Sequence, residues 1–242
     1  MCTASWLSDA GTLRLLFNRD ELRSREPALP PARFDGPAGG WLAPRDGRAG
    51  GTWIAAGENG AVLALLNRSE GARPAEATSR GLLIPELLPA GGPDELVALL
   101  SRRDLSPFAP FRLLALWRES PRGVVAGWDG TGLAAAALDA AQGLLCSSSL
   151  GDERVTATRG AVWAARRAER REWTSERHRD FHRDHTPEPS AWSVCMHRDD
   201  ARSVSLTAVE LGRDEIRLGY HDAPPCQPGA WHELRLPAAP GG

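Results

Sequence analysis

Short apolar runs separated by turn-forming residues recur along the chain, a pattern typical of a protein built mainly from strands. The clearest pair lies at residues 50–56 and 61–66, which flank Asn59-Gly60, the strongest short-range signal for a hairpin. Further strands are predicted over residues 3–7, 12–17, 111–117, 123–128, 144–146, 191–196, 203–210, 215–220 and 231–236.

Two segments have helical spacing instead. Residues 93–103 carry acidic side chains in the first turn, basic ones in the last turn and apolar residues between them. Residues 152–173 predict a longer helix with Val155 and Val162 on its inner side. Residues 25–48 are dense in Pro and Gly, and we expect them to form a surface loop.

Two helices between two blocks of strands favour an α+β fold in which sheet packs on sheet and the helices lie outside. We expect one domain over residues 1–236 and a disordered tail over 237–242.

Composition excludes several classes of function. The chain of 242 residues has a formal net charge of −2, which gives no general attraction to nucleic acid or to an anionic membrane. No apolar run approaches the roughly 18 residues of a membrane span, and no secretory signal is evident. The four cysteines are scattered without CxxC spacing, so we expect reduced thiols in the cytoplasm. Nothing in the sequence indicates an oligomeric state.

Cys2 is the first candidate for chemistry, because it directly follows the initiator Met1. A small second residue normally allows the initiator to be removed, which would leave Cys2 with a free amine. That amine has an ordinary pKa of about 7.7–8.0 and the thiol one of about 8.5, so the amine can accept the thiol proton near neutral pH.

The opening hairpin would bring charges to this cysteine. With its tip near Asp9, Cys2 would lie opposite residues 17 and 18, and Arg19 and Asp20 would lie beside the freed terminus. Arg19 would favour the thiolate and Asp20 would hold the ammonium. The alternative is that Cys2 is an ordinary strand residue and the two charges belong to a loop.

Two other sequence patterns can be interpreted as functional sites or as ordinary structural features. Asn67 ends a buried run and could donate its amide to an oxyanion, or it could simply terminate the strand. His178, His182 and His185 are spaced to share one helix face, which would suit a metal ion. Their segment also reads as a solvated, mixed-charge face, and we expect no metal and no cofactor.

Four motifs, in this order and at these separations, resemble one known family: Met1-Cys2-Thr3, Asn18 to Glu21, Gly50 to Trp53 and Ala64 to Asn67. They are similar to the NRDE family, whose eukaryotic members are transport-and-Golgi-organisation proteins. The resemblance is clear over residues 1–70. It implies an N-terminal-nucleophile hydrolase-like fold, a four-layer αββα sandwich of two antiparallel sheets between helical layers.

The same resemblance implies roles for individual residues. In cysteine enzymes of that fold the nucleophile, the nearby arginine, the aspartate and the oxyanion donor would fall on Cys2, Arg19, Asp20 and Asn67. A further asparagine of such enzymes would fall near Ser147, where this chain offers only a hydroxyl. His197 is expected either to approach the site or to cap a strand.

Together these observations favour a cysteine amidohydrolase or acyltransferase acting on a small non-peptide amide or thioester. The second hypothesis is a non-catalytic carrier or interaction protein that handles haem, lipid or acyl-CoA, functions to which the resemblance also points. A metal-dependent hydrolase using the histidine stripe is the third.

Overall fold

The computed structural model describes residues 2–9, 11–169 and 172–239, which form two antiparallel sheets with helices on both outer faces. The first sheet has the spatial order β10-β1-β2-β11-β12-β13, built from β1 (Cys2–Asp9), β2 (Thr12–Leu22), β10 (Gln142–Ser147), β11 (Ala201–Leu211), β12 (Glu215–His221) and β13 (Trp231–Pro237). The second sheet follows chain order, with β3 (Leu29–Gly36), β4 (Gly39–Arg45), β5 (Ile54–Gly57), β6 (Ala61–Asn67), β7 (Phe111–Trp117), β8 (Arg122–Trp128) and β9 (Leu133–Asp139). The helices are α1 (Leu83–Leu87), α2 (Pro93–Arg102), α3 (Asp152–Ala168) and α4 (Ser175–His182), with a short 3-10 turn at Arg80–Leu82.

Among the described residues, apolar side chains pack between the two sheets and between each sheet and its helices, which gives four layers. The central core lies between the sheets and includes Phe17 from the first sheet and Ile54 from the second. Leu83 of α1 and Leu96 of α2 pack on the outer face of the second sheet. Phe181 of α4 packs with Leu7 on the outer face of the first sheet. This αββα sandwich confirms the predicted fold class.

The register of the opening hairpin differs from the prediction. Asp9 pairs with Thr12 and Cys2 pairs with Arg19, so Cys2 does not lie opposite residues 17 and 18. The turn is centred further along the chain because Gly11 adopts a positive φ of 77°, a conformation that only glycine takes up readily. This register places Arg19 directly across the ladder from Cys2.

The loop predicted over residues 25–48 is wrong, because β3 and β4 form a hairpin there. β3 is an edge strand, and its register shifts between Leu29 and Ala32, where Pro30 and Pro31 lie. Prolines are tolerated at an edge because their missing N–H groups are not needed by a neighbouring strand.

The region from residue 152 to 197 also differs. The predicted helix over 152–173 ends at Ala168, and a separate helix, α4, starts where the Thr174 side chain accepts a hydrogen bond from the Arg177 N–H (3.2 Å). The strand predicted over 191–196 does not form, since Cys195 N–H donates to the Asp184 carbonyl in a looped segment.

The chain end is ordered further than predicted. Within the tail expected to be disordered, the Ala238 N–H donates to the Asp214 carbonyl (3.0 Å) and the Ala239 N–H donates to the Glu58 carbonyl (2.8 Å). The rest of that tail, residues 240–242, lies outside the described residues. None of the helices within the described ranges is long and apolar enough to cross a membrane.

A buried polar network joins α4 to the first sheet. The Asn18 amide donates to the His182 carbonyl (2.8 Å) and to the Val194 carbonyl (3.0 Å), so its oxygen is left to accept from His182 Nδ1–H (2.9 Å). His182 Nε2 is then an acceptor for the Ser5 hydroxyl, and His178 Nε2–H donates to the same oxygen (both 2.7 Å).

The same network bears on the alternative of a metal face formed by the three histidines. α4 ends at His182, so His185 lies beyond the helix and does not share the stripe. His178 and His182 use their inward-facing nitrogens on Ser5 instead. Burial lowers the pKa of His178 to about 3, helped by nearby arginines, and burial also lowers the pKa of His182 well below its ordinary value.

These buried neutral rings predict an acid-sensitive fold. Below about pH 6.5 a histidine of the unfolded chain takes up a proton, whereas His178 stays neutral in the folded protein down to about pH 3. The unfolded state then binds more protons, so the free energy of unfolding should fall by about 1.4 kcal/mol per pH unit for each histidine as the pH drops through this window.

The measurement is urea unfolding of the wild type and His178→Phe between pH 6.5 and 5. Phe suits the site because His178 lies against Trp163 and Trp173. The free energy of unfolding of the variant should depend less on pH, by the contribution of one histidine. An equal pH dependence in the two proteins would contradict the conclusion that His178 is neutral in the folded state.

Asn18→Ala should destabilise the protein by about 3 kcal/mol or more, because it leaves two buried carbonyl groups and one ring N–H without partners. Chemical denaturation measures the loss. Asn67→Ala is the matched control, since Asn67 is exposed and its replacement should change the free energy of unfolding by no more than about 0.5 kcal/mol. Similar effects for both variants would argue against the anchoring role of Asn18.

Candidate active site

A cavity of about 550 Å³ opens between the sheets at the end where β1 begins. β1 and β2 form one wall, and the end of β6 together with the loops around residues 46–53 and 77–81 forms the rest. Four residues predicted from the sequence line this one cavity: Cys2, Arg19, Asp20 and Asn67.

Cys2 is the first residue of β1, with Arg19 opposite it on β2 and Ser147 opposite it on β10. Its side chain faces the inter-sheet core and the residue is 7% exposed. Burial raises the pKa of the Cys2 thiol and the Asp20 carboxylate adds to this effect, while the Asp20 backbone N–H and the Arg19 charge oppose it. The raised pKa favours the neutral form of the Cys2 thiol.

Arg19 is fixed on three sides. Its guanidinium lies 3.0 Å from Asp46 Oδ2 and 3.6 Å from Glu21, and it stacks 4.3 Å from the centre of the Trp53 ring. Since Asp46 already pairs with this charge, Arg19 supports a thiolate at Cys2 less strongly than a free guanidinium would.

Asp46 anchors the loop that forms the cavity rim. One carboxylate oxygen accepts from Arg25 (2.7 Å) as well as Arg19, and the other accepts the N–H groups of Arg48 (3.0 Å) and Ala49 (2.9 Å). Burial acts to raise the pKa of Asp46, but these hydrogen bonds hold it below its ordinary value. Asp46 therefore remains ionised and holds its loop against the Arg19 guanidinium.

Asp20 points to the opposite side of β2, toward α3. Its Oδ2 lies 3.2 Å from Arg159 Nη1, and its Oδ1 accepts from the Ser203 hydroxyl (2.6 Å). The Asp20 and Arg159 side chains are both fully buried, and Arg159 also donates to the Thr3 hydroxyl. Because Asp20 is paired with Arg159 and Asp46 with Arg19 and Arg25, these carboxylates do not make a favourable metal-ligand set.

Asn67 ends β6 and is exposed rather than buried as predicted. It pairs with Phe111 in the ladder, and the cavity lies on its free side. The amide is therefore accessible to a bound molecule.

Arg80 is a cavity residue that sequence reasoning missed. It sits in the short 3-10 turn and donates to the Pro110 carbonyl (2.8 Å). Burial lowers the pKa of Arg80, together with the charge of Arg73. The backbone of this turn packs directly against Gly51. A Cβ added at Gly51 would lie 2.6 Å from the Gly81 carbonyl carbon, so a larger residue at position 51 would displace the turn that carries Arg80.

Two predicted residues do not line the cavity. Ser147 adjoins Cys2 through the ladder, but its buried hydroxyl has no hydrogen-bond partner among the described residues. His197 lies in a separate cluster with His185, Cys195 and Cys226.

Arg159, Ser203 and Asp46 were also missed, and only Arg159 left a readable signal. It interrupts the apolar stripe of α3 between Val155 and Val162, and a charge at such a position calls for a buried partner. The other two are ordinary polar residues in sequence, and only the fold shows their contacts.

Three solved structures illustrate the likeness of this fold to known proteins. A Caenorhabditis elegans N-acylethanolamine-hydrolyzing acid amidase ortholog matches with a TM-score of 0.58 and 13% identity, covering 94% of each chain. A mutant conjugated bile acid hydrolase from Clostridium perfringens matches with a TM-score of 0.61 and 9% identity, covering 97% of this chain and 92% of that one. A second variant of that hydrolase matches at 0.52 and 11% identity, over 99% and 98%. At these identities the likeness shows the N-terminal-nucleophile hydrolase fold.

No curated protein matches this chain in sequence. The family Transport and Golgi organisation 2 does, over residues 1–127, a span that contains all four motifs noted in the sequence. Because this match covers more than half of the 242 residues, the chain belongs to the Transport and Golgi organisation 2 family.

Proposed function

We propose that the protein is a cysteine amidohydrolase or acyltransferase that acts on a small non-peptide amide or thioester once Met1 has been removed. One observation carries the proposal: the second residue of the chain is a cysteine in the wall of a 550 Å³ cavity, paired across the ladder with Arg19 and sharing that cavity with the exposed Asn67. The volume suits a small molecule.

The Cys2 thiol needs a base close by, because burial keeps it protonated. Removal of Met1 would supply one on the same residue, since a free amine next to the thiol can take its proton and return it to the leaving group. Cys2 Sγ would attack the carbonyl carbon, the amine or thiol of the substrate would leave with the transferred proton, and water or an acceptor would release the acyl group.

Asn67 would stabilise the tetrahedral oxyanion by donating its amide N–H. In this role it must point toward the position that the carbonyl oxygen takes after attack, and its exposure to the cavity is compatible with that.

The charges of the cavity support a polar or anionic substrate over a long acyl chain. The described lining contains four arginines and three acidic residues: Arg19, Arg25, Arg48, Arg80, Asp20, Glu21 and Asp46. Asp20 is neutralised by Arg159, which does not line the cavity, so positive charge predominates at the opening.

The first experiment combines intact mass with acyl-probe labelling. We expect purified protein to lack Met1 and to form a thioester with a small activated amide or thioester probe at Cys2. Cys2→Ala should abolish labelling and lower turnover by at least about 10³-fold, because the nucleophile is gone. Peptide mapping by mass spectrometry identifies the labelled residue.

Cys146→Ala is the matched control, a buried thiol on β10 that pairs with Thr3 rather than facing the cavity. It should label as the wild type does. Retention of Met1 would refute the enzymatic proposal. A carrier would be favoured if no acyl-enzyme forms and the Cys2→Ala variant still binds haem or acyl-CoA.

Asn67→Ala should slow acylation by about 10²–10³-fold and leave KM nearly unchanged, because an oxyanion donor acts mainly in the transition state. Stopped-flow measurement of acyl-enzyme formation separates this step from release of the acyl group. An unchanged acylation rate would assign the oxyanion contact to other groups.

A further inference from the structure

A second cluster of reactive side chains lies outside the cavity. It consists of His185, Cys195, His197 and Cys226, whose nearest nitrogen and sulfur atoms all lie within 4.8 Å of one another. His197 Nε2 lies at its centre, 3.0 Å from His185 Nε2, 3.4 Å from Cys226 Sγ and 3.7 Å from Cys195 Sγ.

Hydrogen bonding does not account for this convergence. An imidazole nitrogen carries either one proton or one lone pair, so His197 Nε2 can make one good hydrogen bond in its ring plane. Three groups nevertheless point at it. Four soft or borderline donor atoms that lie this close to one another are instead typical of a site that holds a metal ion.

The separations fit tetrahedral zinc. Zn–N bonds of about 2.0–2.1 Å and Zn–S bonds of about 2.3 Å place two nitrogens about 3.3 Å apart and a nitrogen and a sulfur about 3.6 Å apart in a tetrahedron. The observed N–N distance of 3.0 Å is slightly shorter than this ideal, and the two N–S distances of 3.4 and 3.7 Å lie on either side of theirs. Two thiolates with two imidazoles favour Zn²⁺ over Mg²⁺ or Ca²⁺, which prefer oxygen ligands.

We propose that His185, Cys195, His197 and Cys226 bind one Zn²⁺ ion. The site is structural rather than catalytic, because four protein ligands fill a tetrahedral shell and leave no position for water. This departs from the expectation of no metal. It also differs from the alternative of a metal on the histidine stripe, of which only His185 takes part.

The ion would join three segments that share little regular structure. His185 follows α4, Cys195 and His197 precede β11, and Cys226 lies in the loop between β12 and β13. Cys226 is exposed, so the ion has a path of entry from solvent.

The principal alternative is a disulfide between Cys195 and Cys226, which would leave the two histidines as mere neighbours. The cysteines are free thiols in the structure. The two interpretations predict different masses and different metal contents, so one set of samples separates them.

The test is zinc stoichiometry by plasma mass spectrometry on the full chain, reconstituted with Zn²⁺ under reducing conditions and freed of excess metal. The wild type should hold about one zinc per chain. Cys226→Ser and His185→Ala should each weaken zinc affinity by at least about 100-fold, because one of four ligands is missing. Co²⁺ in place of zinc should give the visible bands of a tetrahedral thiolate complex, reduced in both variants.

Cys2→Ala and His232→Gln are the matched controls, one thiol and one imidazole outside the cluster, and both should keep their zinc. Circular dichroism checks folding, and the exposed position of Cys226 makes its Ser variant the safer one. Any of three results would overturn the proposal. The wild type fails to bind zinc, the Cys226→Ser variant retains zinc, or non-reducing peptide maps of zinc-treated protein show a Cys195–Cys226 disulfide.

Discussion

The buried ion pair between Arg159 and Asp20 is the interaction on which the site depends. Both side chains are fully excluded from solvent, so each charge carries a large desolvation cost. The ion pair offsets this cost, together with the hydrogen bonds from Ser203 to Asp20 and from Arg159 to Thr3. Removing either partner would leave an isolated buried charge, typically a loss of about 3–5 kcal/mol. The pair joins the middle of α3 to β2 one residue away from the arginine that faces Cys2. It thereby sets the position of β2 against its helical layer.

Successive side chains of the segment Asn18 to Glu21 point to opposite faces of β2, which explains why they make different contacts. Asn18 and Asp20 face the helices, where one binds the end of α4 and the other binds α3. Arg19 and Glu21 face the cavity between the sheets, where Arg19 meets Asp46 and Trp53. One strand therefore fixes two helices with one face and shapes the cavity with the other, because successive side chains point to opposite sides.

The parts of the fold that were predictable from sequence are those set by local pattern. The hairpin around Asn59-Gly60 and the strands β7 and β8 follow from apolar runs and turn residues. The edge hairpin of β3 and β4 was missed because its prolines mask the strand pattern, and the register at Cys2 was missed because it depends on the conformation of Gly11. In the site, motif spacing led to the four predicted residues, but their partners are remote in sequence. Arg159 is marked only as a charge within the apolar stripe of α3, and the contacts of Ser203 and Asp46 are set by tertiary packing alone.

The two reactive clusters are connected through a short chain of hydrogen bonds. Met196 lies between the cluster residues Cys195 and His197, and its backbone N–H donates to the Ser203 hydroxyl (2.8 Å). That hydroxyl in turn donates to Asp20 (2.6 Å), the partner of Arg159. An ion that holds the segment on both sides of Met196 would restrict the position of the Ser203 hydroxyl, and through it the orientation of the Asp20 carboxylate. The looped segment before β11 is therefore a supporting layer for the cavity, and in the proposed reaction its rigidity would help to fix the strand that faces Cys2.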